Sequence, residues 1–333
     1  MKKKTDYCDF CSKTHVLLDD RATSSEEREE AKRNLVLHKA KADEARNLYN
    51  ERREIIQLDT IMISWDFAEN ILLPHLTEQP AIFYFRSRRK IDCFGITNEK
   101  TKEQLTYLID ECHRIPKGPN AVLSMVYHYL TKFVPNNSKL IIYSDNSPAQ
   151  NKNQITISFM CYLVKVLKIY QEIKLAFMVS GHTKFSPDGH FGKIKKKAKE
   201  TDSYSILDLI GENGRVRKSA LSNFDLVYKD PVTLTKNFEW LDWKAFLNKK
   251  FLHLKGIRNW HEIIITQDGN GVTVRNDVNG EFRDIPVLKE NVIFEEFPNR
   301  IEPEPLSSNC QEELSFFKQF VTEDHKKFMD CNY

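Results

Sequence analysis

The feature that most constrains the fold is a run of branched apolar residues that ends abruptly at an acidic, polar loop. The run is Lys139–Ser144, and Asp145 follows it directly, ahead of the polar residues 146–153. A short, nearly continuous apolar run of this kind is typical of a strand buried on both faces of a sheet. An acid at the carboxyl end of such a strand is a common way to place a metal-binding carboxylate in an α/β protein.

The same pattern occurs at two further places. Ile61–Trp65 ends at Asp66, and Leu175–Ser180 leads through His182 to Asp188. Three acids at the ends of three such segments predict one divalent-metal site. Carboxylate oxygens suit hard cations, so Mg²⁺ or Mn²⁺ is the expected cofactor. His182 is expected in the catalytic set, as a metal ligand, an acid/base group or a residue that orients water.

Two of these acids also have a plainer explanation. Asp145 opens a polar turn, and Asp188 follows a proline where a helix would start, so local hydrogen bonding could account for both. Asp66 is harder to explain in this way, because it interrupts an apolar strand, where a charge needs a partner. Asn146 and Gln150 are predicted to contact phosphate or a metal-bound water.

The order of predicted elements points to a mixed sheet. Three strands come first, a helical region follows, and strands then alternate with helices. The predicted segments are strands 60–65, 81–86 and 90–96, helices 101–113 and 119–133, strand 139–144, helix 154–169, strand 173–180 and a helix after Pro187. The fold class is therefore α/β, a three-stranded meander followed by strand-helix units.

This order of strands and acids resembles the ribonuclease H-like fold of transposases, integrases and Holliday-junction resolvases. Three blocks, Trp65–Asn70, Ser144–Asn153 and Gly181–Gly192, resemble a family of uncharacterised, transposon-derived animal proteins. The resemblance implies a DDE/D-type core in which Asp66, Asp145 and Asp188 bind metal ions.

The implied activity is divalent-metal-dependent cleavage or strand transfer at the phosphodiester bonds of DNA. In the ribonuclease H-like arrangement the first-strand acid, here Asp66, bridges two ions, while Asp145 and Asp188 each hold one. An alternative is a domesticated, catalytically inactive module with the same fold that binds nucleic acid or protein. A third interpretation is an ordinary phosphatase-like hydrolase, which predicts a compact pocket for a small molecule.

Basic clusters near the acids favour a DNA partner. The net charge is only +3, from 50 Lys and Arg against 47 Asp and Glu, so the distribution of charge matters more than its sum. Phosphates would be drawn toward metal ions by such clusters, although each cluster could also be a solvated face or hairpin tip. The predicted nucleic-acid contacts are Arg88, Arg89, Asn146, Gln150, Lys152, Lys193, Lys195, Lys196 and Lys197.

A second metal site is indicated at the start of the chain. Cys8 and Cys11 have the spacing of half a zinc knuckle, but no second cysteine pair follows at the usual distance. His38 is expected to complete a structural Zn²⁺ site, and His15 is the other candidate. The plain alternative is two ordinary cysteines in a turn.

Composition and spacing suggest four regions and an intracellular protein. The hydrophobic content of 41% can supply a full core, no apolar run reaches the length of a membrane span, and the 7 cysteines do not suggest a disulfide framework. A nuclear location and a homo-oligomer are further expectations. The regions are a Cys-x2-Cys segment with a charged helical arm (1–57), the ribonuclease H-like core (58–200), a smaller mixed α+β region (201–297), and a Pro-rich joint with a C-terminal helix (298–333).

Overall fold

The computed structural model describes residues 7–134, 138–210, 226–228, 239–290, 292–294 and 296–330. The chain forms two compact units, and each is assembled from three separate segments. The first unit comprises Met1–Met62, Asn136–Lys184 and Lys250–Val292; the second comprises Ile63–Pro135, Phe185–Lys249 and Ile293–Tyr333.

The helices and strands are numbered here in chain order. They are α1 (Asp9–Asp19), α2 (Ser25–Glu54), β1 (Thr60–Phe67), β2 (Ile71–Leu73), β3 (Arg89–Asn98), β4 (Gln104–Asp110), α3 (Pro119–Lys132), β5 (Lys139–Ser144), α4 (Gln154–Cys161), β6 (Glu172–Phe177), α5 (Ser186–Lys199), α6 (Ile206–Ile210), β7 (Leu226–Tyr228), α7 (Trp243–Asn248), β8 (Glu262–Thr266), β9 (Gly271–Arg275), β10 (Arg283–Pro286), α8 (Ser308–Phe316) and α9 (Glu323–Met329). Short 3₁₀ helices lie at Ala81–Phe85, Ile257–Asn259 and Phe317–Phe320, and a π-helical turn lies at Tyr162–Val166.

The first unit is built on a mixed sheet with the strand order β10-β9-β8-β6-β5. Strands β5 and β6 are parallel, whereas β6, β8, β9 and β10 pair antiparallel in that order. The β5 and β6 side chains are largely buried, as expected for strands covered on both faces.

Helix α2 belongs to the first unit and buries one stripe of small and aromatic residues. It begins with a capping box, in which the Ser24 hydroxyl and the Glu27 carboxylate each accept the other residue's backbone N–H. Ala42, Ala45 and Tyr49 recur at helical spacing and are buried, and the ring of Tyr49 lies 5.0 Å from that of Tyr143 on β5. The charged sequence predicted a helix here, and the structure confirms it.

A buried ion network also ties α2 to the sheet of the first unit. The Glu262 carboxylate on β8 is fully buried and pairs with Arg52 of α2 and with Arg275 of β9. Arg52 also donates to the Tyr143 hydroxyl at 3.2 Å. Removing one partner would leave a buried charge uncompensated, which typically costs about 3–5 kcal/mol.

The second unit contains an antiparallel meander of β1, β3 and β4, with β7 parallel to β4 and β2 paired to β3. Helix α3 starts at Pro119, whose missing N–H is not needed at a first helical position. Val122, Met125, Val126 and Tyr129 form the apolar stripe that the sequence predicted, and all are buried.

Three segments differ from their predicted structure. Residues 101–113 contain strand β4 instead of a helix: every residue from Gln104 to Asp110 is buried, and a fully buried strand has no polar alternation to distinguish it from a buried helix. Residues 81–85 form a 3₁₀ helix that buries only Phe83, so the first two strands of the meander are β1 and β3. The single C-terminal helix predicted within residues 298–333 is instead two helices, α8 and α9, and the backbone of Val321 between them is extended.

The mixed α/β class predicted from the sequence is confirmed. Within the described ranges, no helix combines the length and the apolar character that crossing a bilayer would require.

Candidate metal centre

Four side chains of the first unit converge on one point. These are the thiols of Cys8 and Cys11 and the imidazoles of His38 and His182, whose nearest ligand atoms all lie within 4.8 Å of one another. The Nε2 atom of His38 lies 3.3 Å from Cys8 Sγ and 3.1 Å from His182 Nε2. The Nε2 atom of His182 lies 3.6 Å from Cys11 Sγ. The cluster could bind a metal ion.

The two thiols are positioned by the first turn of α1. Cys8 is the residue that caps the helix and Cys11 lies three positions later, so both side chains lie on the same helical face. Both are buried and pack with Leu35 of α2 and with Leu18. His38 lies on α2, one helical turn beyond Leu35, and its ring lies 4.6 Å from that of Phe10. The pairing of α1 with α2 therefore brings three of the four ligands together.

A tight turn after β6 supplies the fourth ligand. The backbone N–H of His182 donates to the carbonyl of Val179 at 2.9 Å, and Gly181 has a φ of +76°, which a residue with a side chain rarely adopts. A Cβ atom at Gly181 would lie 2.6 Å from Cβ of Cys8. Glycine is therefore needed both for the turn and for the close approach of Cys8.

Arg46 of α2 forms hydrogen bonds with the backbone of the same turn. Its guanidinium donates to the carbonyl of His182 at 3.0 Å and to the carbonyl of Lys184. These bonds fix the backbone of the loop that carries His182. They resemble the outer hydrogen bonds that orient metal ligands in many proteins.

The electrostatics of the cluster favour a cation. Burial lowers the pKa of His38, and the neighbouring His182 lowers it further, which favours the neutral imidazole that binds metals. Burial raises the pKa of Cys11, and the hydrogen bond and charge of Cys8 add to this effect. A thiol binds a metal ion as its thiolate, and a bound cation would stabilise that form of Cys11.

The predicted acid Asp145 lies in a self-contained loop of the first unit. Its Oδ1 accepts the backbone N–H of Ser147 at 3.1 Å and the side-chain amide of Asn151 at 2.5 Å. Both bonds are the local turn chemistry that the sequence offered as an alternative explanation. The backbone N–H of Gln150 donates to the Ser147 carbonyl at 3.3 Å and so belongs to the same turn.

Asn146 and Lys152 join the Asp145 loop to the segment after β6. The Asn146 amide donates to the carbonyl of Met178, and its Oδ1 accepts from Lys152 Nζ at 2.8 Å. Lys152 Nζ also lies 4.9 Å from the centre of the Phe177 ring. The loop after β5 is thus connected by side chains to the strand end that leads to His182.

Asp66 and Asp188 lie in the second unit. Asp66 is half-buried on β1, and its Oδ1 accepts the N–H of Phe67 at 2.7 Å. Asp188 is exposed in the first turn of α5 and accepts the N–H of Phe185 at 2.9 Å, which is the helix-capping role weighed from the sequence. Asp145, by contrast, belongs to the first unit.

The basic residues predicted to contact nucleic acid divide into buried and exposed ones. Arg89 is fully buried in the second unit and pairs with Asp110 at 2.8 Å, so it belongs to the core and not to the surface that the sequence suggested. The reason is its place on β3, where a lone cation needs a buried carboxylate. Arg88 is half-buried and donates to the Pro74 carbonyl at 3.3 Å.

The basic run on α5 is more open. Lys193 and Lys196 are exposed, and Lys195 pairs with Glu69 at 3.0 Å. The side chain of Lys197 lies outside the described residues. Exposed lysines on one helix remain compatible with the predicted DNA contact.

The Cys/His cluster contains three residues that the sequence proposed as zinc ligands, and one that it did not. Cys8, Cys11 and His38 were proposed, with His15 as the other candidate histidine; His15 is not part of the cluster. His182 was predicted to be catalytic, and that prediction stays open. No spacing rule could have joined it to the cluster, because 144 residues separate it from His38. The preceding glycine was the available signal, since it marked a constrained turn.

The comparisons with known proteins place the chain in a family. The family described as Domain of unknown function (DUF7869) matches residues 87–278, a part that contains Asp145 and His182 and begins after the other three cluster residues. No curated protein and no solved structure matches the chain. Because the matched residues make up more than half of its length, the chain belongs to the DUF7869 family.

Proposed function

We propose that the protein is a zinc-stabilised, ribonuclease H-like protein of transposon origin that cleaves or joins DNA phosphodiester bonds with the help of Mg²⁺ or Mn²⁺. The observation that carries the proposal is the pair of arrangements inside the units: an antiparallel meander of β1, β3 and β4 in the second unit, and a parallel β5–β6 pair joined through α4 in the first. A meander followed by strand-helix units is the arrangement that the resemblance to transposases and integrases implies. DNA as the partner is consistent with a nuclear location.

The positions of the acids along these elements support the proposed chemistry. Asp66 lies on β1, Asp145 follows the last residue of β5, and Asp188 lies in the first turn of α5. Both hydrogen bonds to Asp145 from described groups go to Oδ1, so Oδ2 remains available for an ion. Bound divalent ions would activate a water or a 3′-hydroxyl and stabilise the leaving oxygen. The residues of this chain would hold the ions and orient the backbone of the DNA.

A plasmid-nicking assay tests this proposal. Wild-type protein is expected to convert supercoiled DNA to the nicked form with Mg²⁺ or Mn²⁺ and not with EDTA. Asp145→Asn is expected to lose this activity, because the amide cannot replace the negative charge that binds the ion. Asp268→Asn, an exposed acid in a turn of the first unit, is the matched control and should nick like wild type. If Asp145→Asn nicks DNA as fast as wild type, Asp145 has no catalytic role.

A second candidate function is a binding module without catalysis. The observation that favours it is that Asp145 and Asp188 both accept backbone hydrogen bonds typical of a turn and a helix cap. Tight binding to duplex DNA with no nicking in either metal would support this candidate over the first. Sedimentation of the same sample would show whether the protein forms the expected homo-oligomer.

We also propose that the cation of the Cys/His cluster is a structural Zn²⁺. With zinc–sulfur and zinc–nitrogen bonds of about 2.3 and about 2.05 Å, a tetrahedral ion separates two nitrogens by about 3.3 Å and a sulfur from a nitrogen by about 3.5 Å. The corresponding separations in the cluster are 3.1, 3.3 and 3.6 Å. Two thiolates and two imidazoles are a usual ligand set for structural zinc.

Zinc at this position would cross-link three parts of the first unit. Cys8 and Cys11 come from α1, His38 comes from α2, and His182 comes from the turn after β6. Metal analysis of the purified protein is expected to find zinc at one ion per chain. His182→Asn should lose most of it, whereas His253→Asn, an exposed histidine of the same unit, should keep it. Full zinc content in His182→Asn would overturn the four-ligand assignment.

A further inference from the structure

A cavity of about 480 Å³ in the first unit has a lining that is suited to an anion. Its polar side chains include two cations and three asparagines, and no carboxylate of the described residues lines it. The residues that matter here are Asn146, Lys152, Phe177, Arg258, Trp260 and Asn276. We propose that this cavity binds the phosphate of a nucleotide unit.

Lys152 is the main reason for expecting an anion. Its side chain is only 8% exposed, and its ammonium donates to Asn146 Oδ1 at 2.8 Å and faces the Phe177 ring. No carboxylate of the described residues forms an ion pair with it. A buried ammonium without a counter-charge is unfavourable, and burial lowers the pKa of Lys152 to about 8. A bound phosphate would supply the missing negative charge.

Four other residues would add to the recognition of phosphate. Arg258 is exposed at the cavity, and among the described residues no carboxylate pairs with it. A guanidinium suits a phosphate because its donors match two phosphate oxygens. The indole of Trp260 is fully buried, and its N–H finds no acceptor in the described part of the chain. Asn146 and Asn276 add amide donors.

The apolar part of the lining indicates more than a lone phosphate. Phe177, Met178, Val179 and Pro148 also line the cavity, and apolar side chains of this kind suit the ring of a base or a sugar. A volume of about 480 Å³ is also larger than a phosphate needs. The ligand is therefore a nucleotide unit, either free or within a strand. This inference rests on the proposed function only where it names nucleic acid as the molecule that contains the nucleotide unit.

Calorimetric titration of the full chain tests the inference with three probes. These are inorganic phosphate, a 5′-deoxynucleoside monophosphate and a short single-stranded oligonucleotide without a terminal phosphate. Binding of the monophosphate and the oligonucleotide is expected, with inorganic phosphate weaker than either. Binding of the monophosphate alone would identify a free nucleotide as the ligand, and tighter binding of the oligonucleotide would identify a strand. Failure of all three to bind would overturn the proposal.

Variants connect the binding to the cavity. Lys152→Met and Arg258→Gln should each weaken the affinity about tenfold or more, the loss expected for one charge-assisted hydrogen bond. Lys255→Gln, an exposed lysine of the same unit that does not line the cavity, should bind like wild type. Arg258 is at the surface, so its variant remains informative if Lys152→Met folds poorly. Unchanged affinity in Arg258→Gln and Lys152→Met would refute the assignment.

The same experiment separates this inference from the nuclease proposal. Asp145→Asn does not change a residue that lines the cavity, so it should bind the monophosphate like wild type. Intact binding without nicking by the wild type would retain the phosphate site and remove the nuclease. If Lys152→Met and Arg258→Gln nick DNA like wild type and no probe binds measurably, the nuclease proposal is retained and the phosphate site is refuted.

Discussion

The Cys/His cluster and the Asp145 loop both lie in the first unit, and they differ in how their polar groups are satisfied. In the cluster, two buried thiols and two half-buried imidazoles lie within 4.8 Å of one another, and Cys8 Sγ also lies 3.7 Å from the carbonyl oxygen of Ser180. In the loop, the Asp145 carboxylate already accepts two hydrogen bonds from its own turn. The cluster brings together possible metal ligands from distant parts of the chain, whereas the Asp145 carboxylate is hydrogen-bonded within its own turn.

A residue pattern in the sequence and a convergence of side chains in the structure are therefore separate kinds of evidence for a site. Asp145 stood out in the sequence because of its position after a strand. The Cys/His cluster is apparent only in the structure, which brings together residues from α1, α2 and the turn after β6. The predictions below test whether the cluster depends on metal for stability and whether the loop does not.

Removal of metal is expected to have the largest effect. If zinc holds α1, α2 and the turn after β6 together, chelation should lower the free energy of unfolding by about 4 kcal/mol, the linkage expected for metal at a thousand times its Kd. Thermal unfolding with and without a strong chelator measures this. His182→Asn should unfold early in both conditions and show little response to the chelator. An equal response by wild type and His182→Asn would mean that the stabilising ion binds elsewhere.

Gly181→Ala is expected to have the next largest effect. The alanine must adopt a φ of +76°, and its Cβ would lie 2.6 Å from Cβ of Cys8. Backbone strain and a steric clash would therefore both distort the turn that carries His182. We expect a loss of about 2–3 kcal/mol in urea unfolding, together with weaker zinc retention. Gly269→Ala is the matched control, because Gly269 has a similar φ of +69° but nothing within 4 Å of an added Cβ. It should lose about 1 kcal/mol and no zinc.

How far the sequence could predict this fold depends on whether the deciding contacts are local. Helix α2 was predicted because its cap and its stripe of small residues lie within the segment itself. Strand β4 was mistaken for a helix because its burial on every side comes from pairing with β3 and from packing of other elements. Pattern within a segment cannot supply that information.

The same limit applies to the candidate site. Cys8, Cys11 and His38 were found as a partial ligand set, since two of them share one helical turn. His182 could not be added, because only the packing of the turn after β6 against α1 brings it near. Arg89 was taken for a surface residue because its partner Asp110 lies on the neighbouring strand.

Lys152 lies in the same loop as Asp145, and its buried ammonium should make the stability of the protein depend on pH. The pKa is about 8 in the folded chain and 10.5 in the unfolded one. Between these values the unfolded chain holds a proton that the folded chain has lost, so stability should rise with pH from about 8 to about 10.5 and stay level below that window. The slope cannot exceed about 1.4 kcal/mol per pH unit, and partial contact with water should keep the total gain to about 1–2 kcal/mol.

Urea unfolding at a series of pH values, for wild type and Lys152→Met, isolates this contribution as the difference between the two proteins. The variant should be the more stable protein at neutral pH, and the difference should shrink as pH rises through the window. Saturating monophosphate should also reduce the difference, since a bound anion stabilises the charged form. A difference that does not change with pH would mean that Lys152 is not buried as a charged group.

Asp145→Asn should have the smallest effect on stability, and it separates the two regions most sharply. The amide keeps an Oδ1 that can accept from Ser147 and Asn151, so the turn retains its hydrogen bonds and loses only a half-buried charge. We expect a change within about 0.5 kcal/mol. Asn151→Ala, which removes the donor itself, should cost about 1 kcal/mol. A large loss of stability in Asp145→Asn would mean that the carboxylate stabilises the fold. Unchanged stability together with a loss of the wild-type nicking activity would mean that the carboxylate serves to bind the ion.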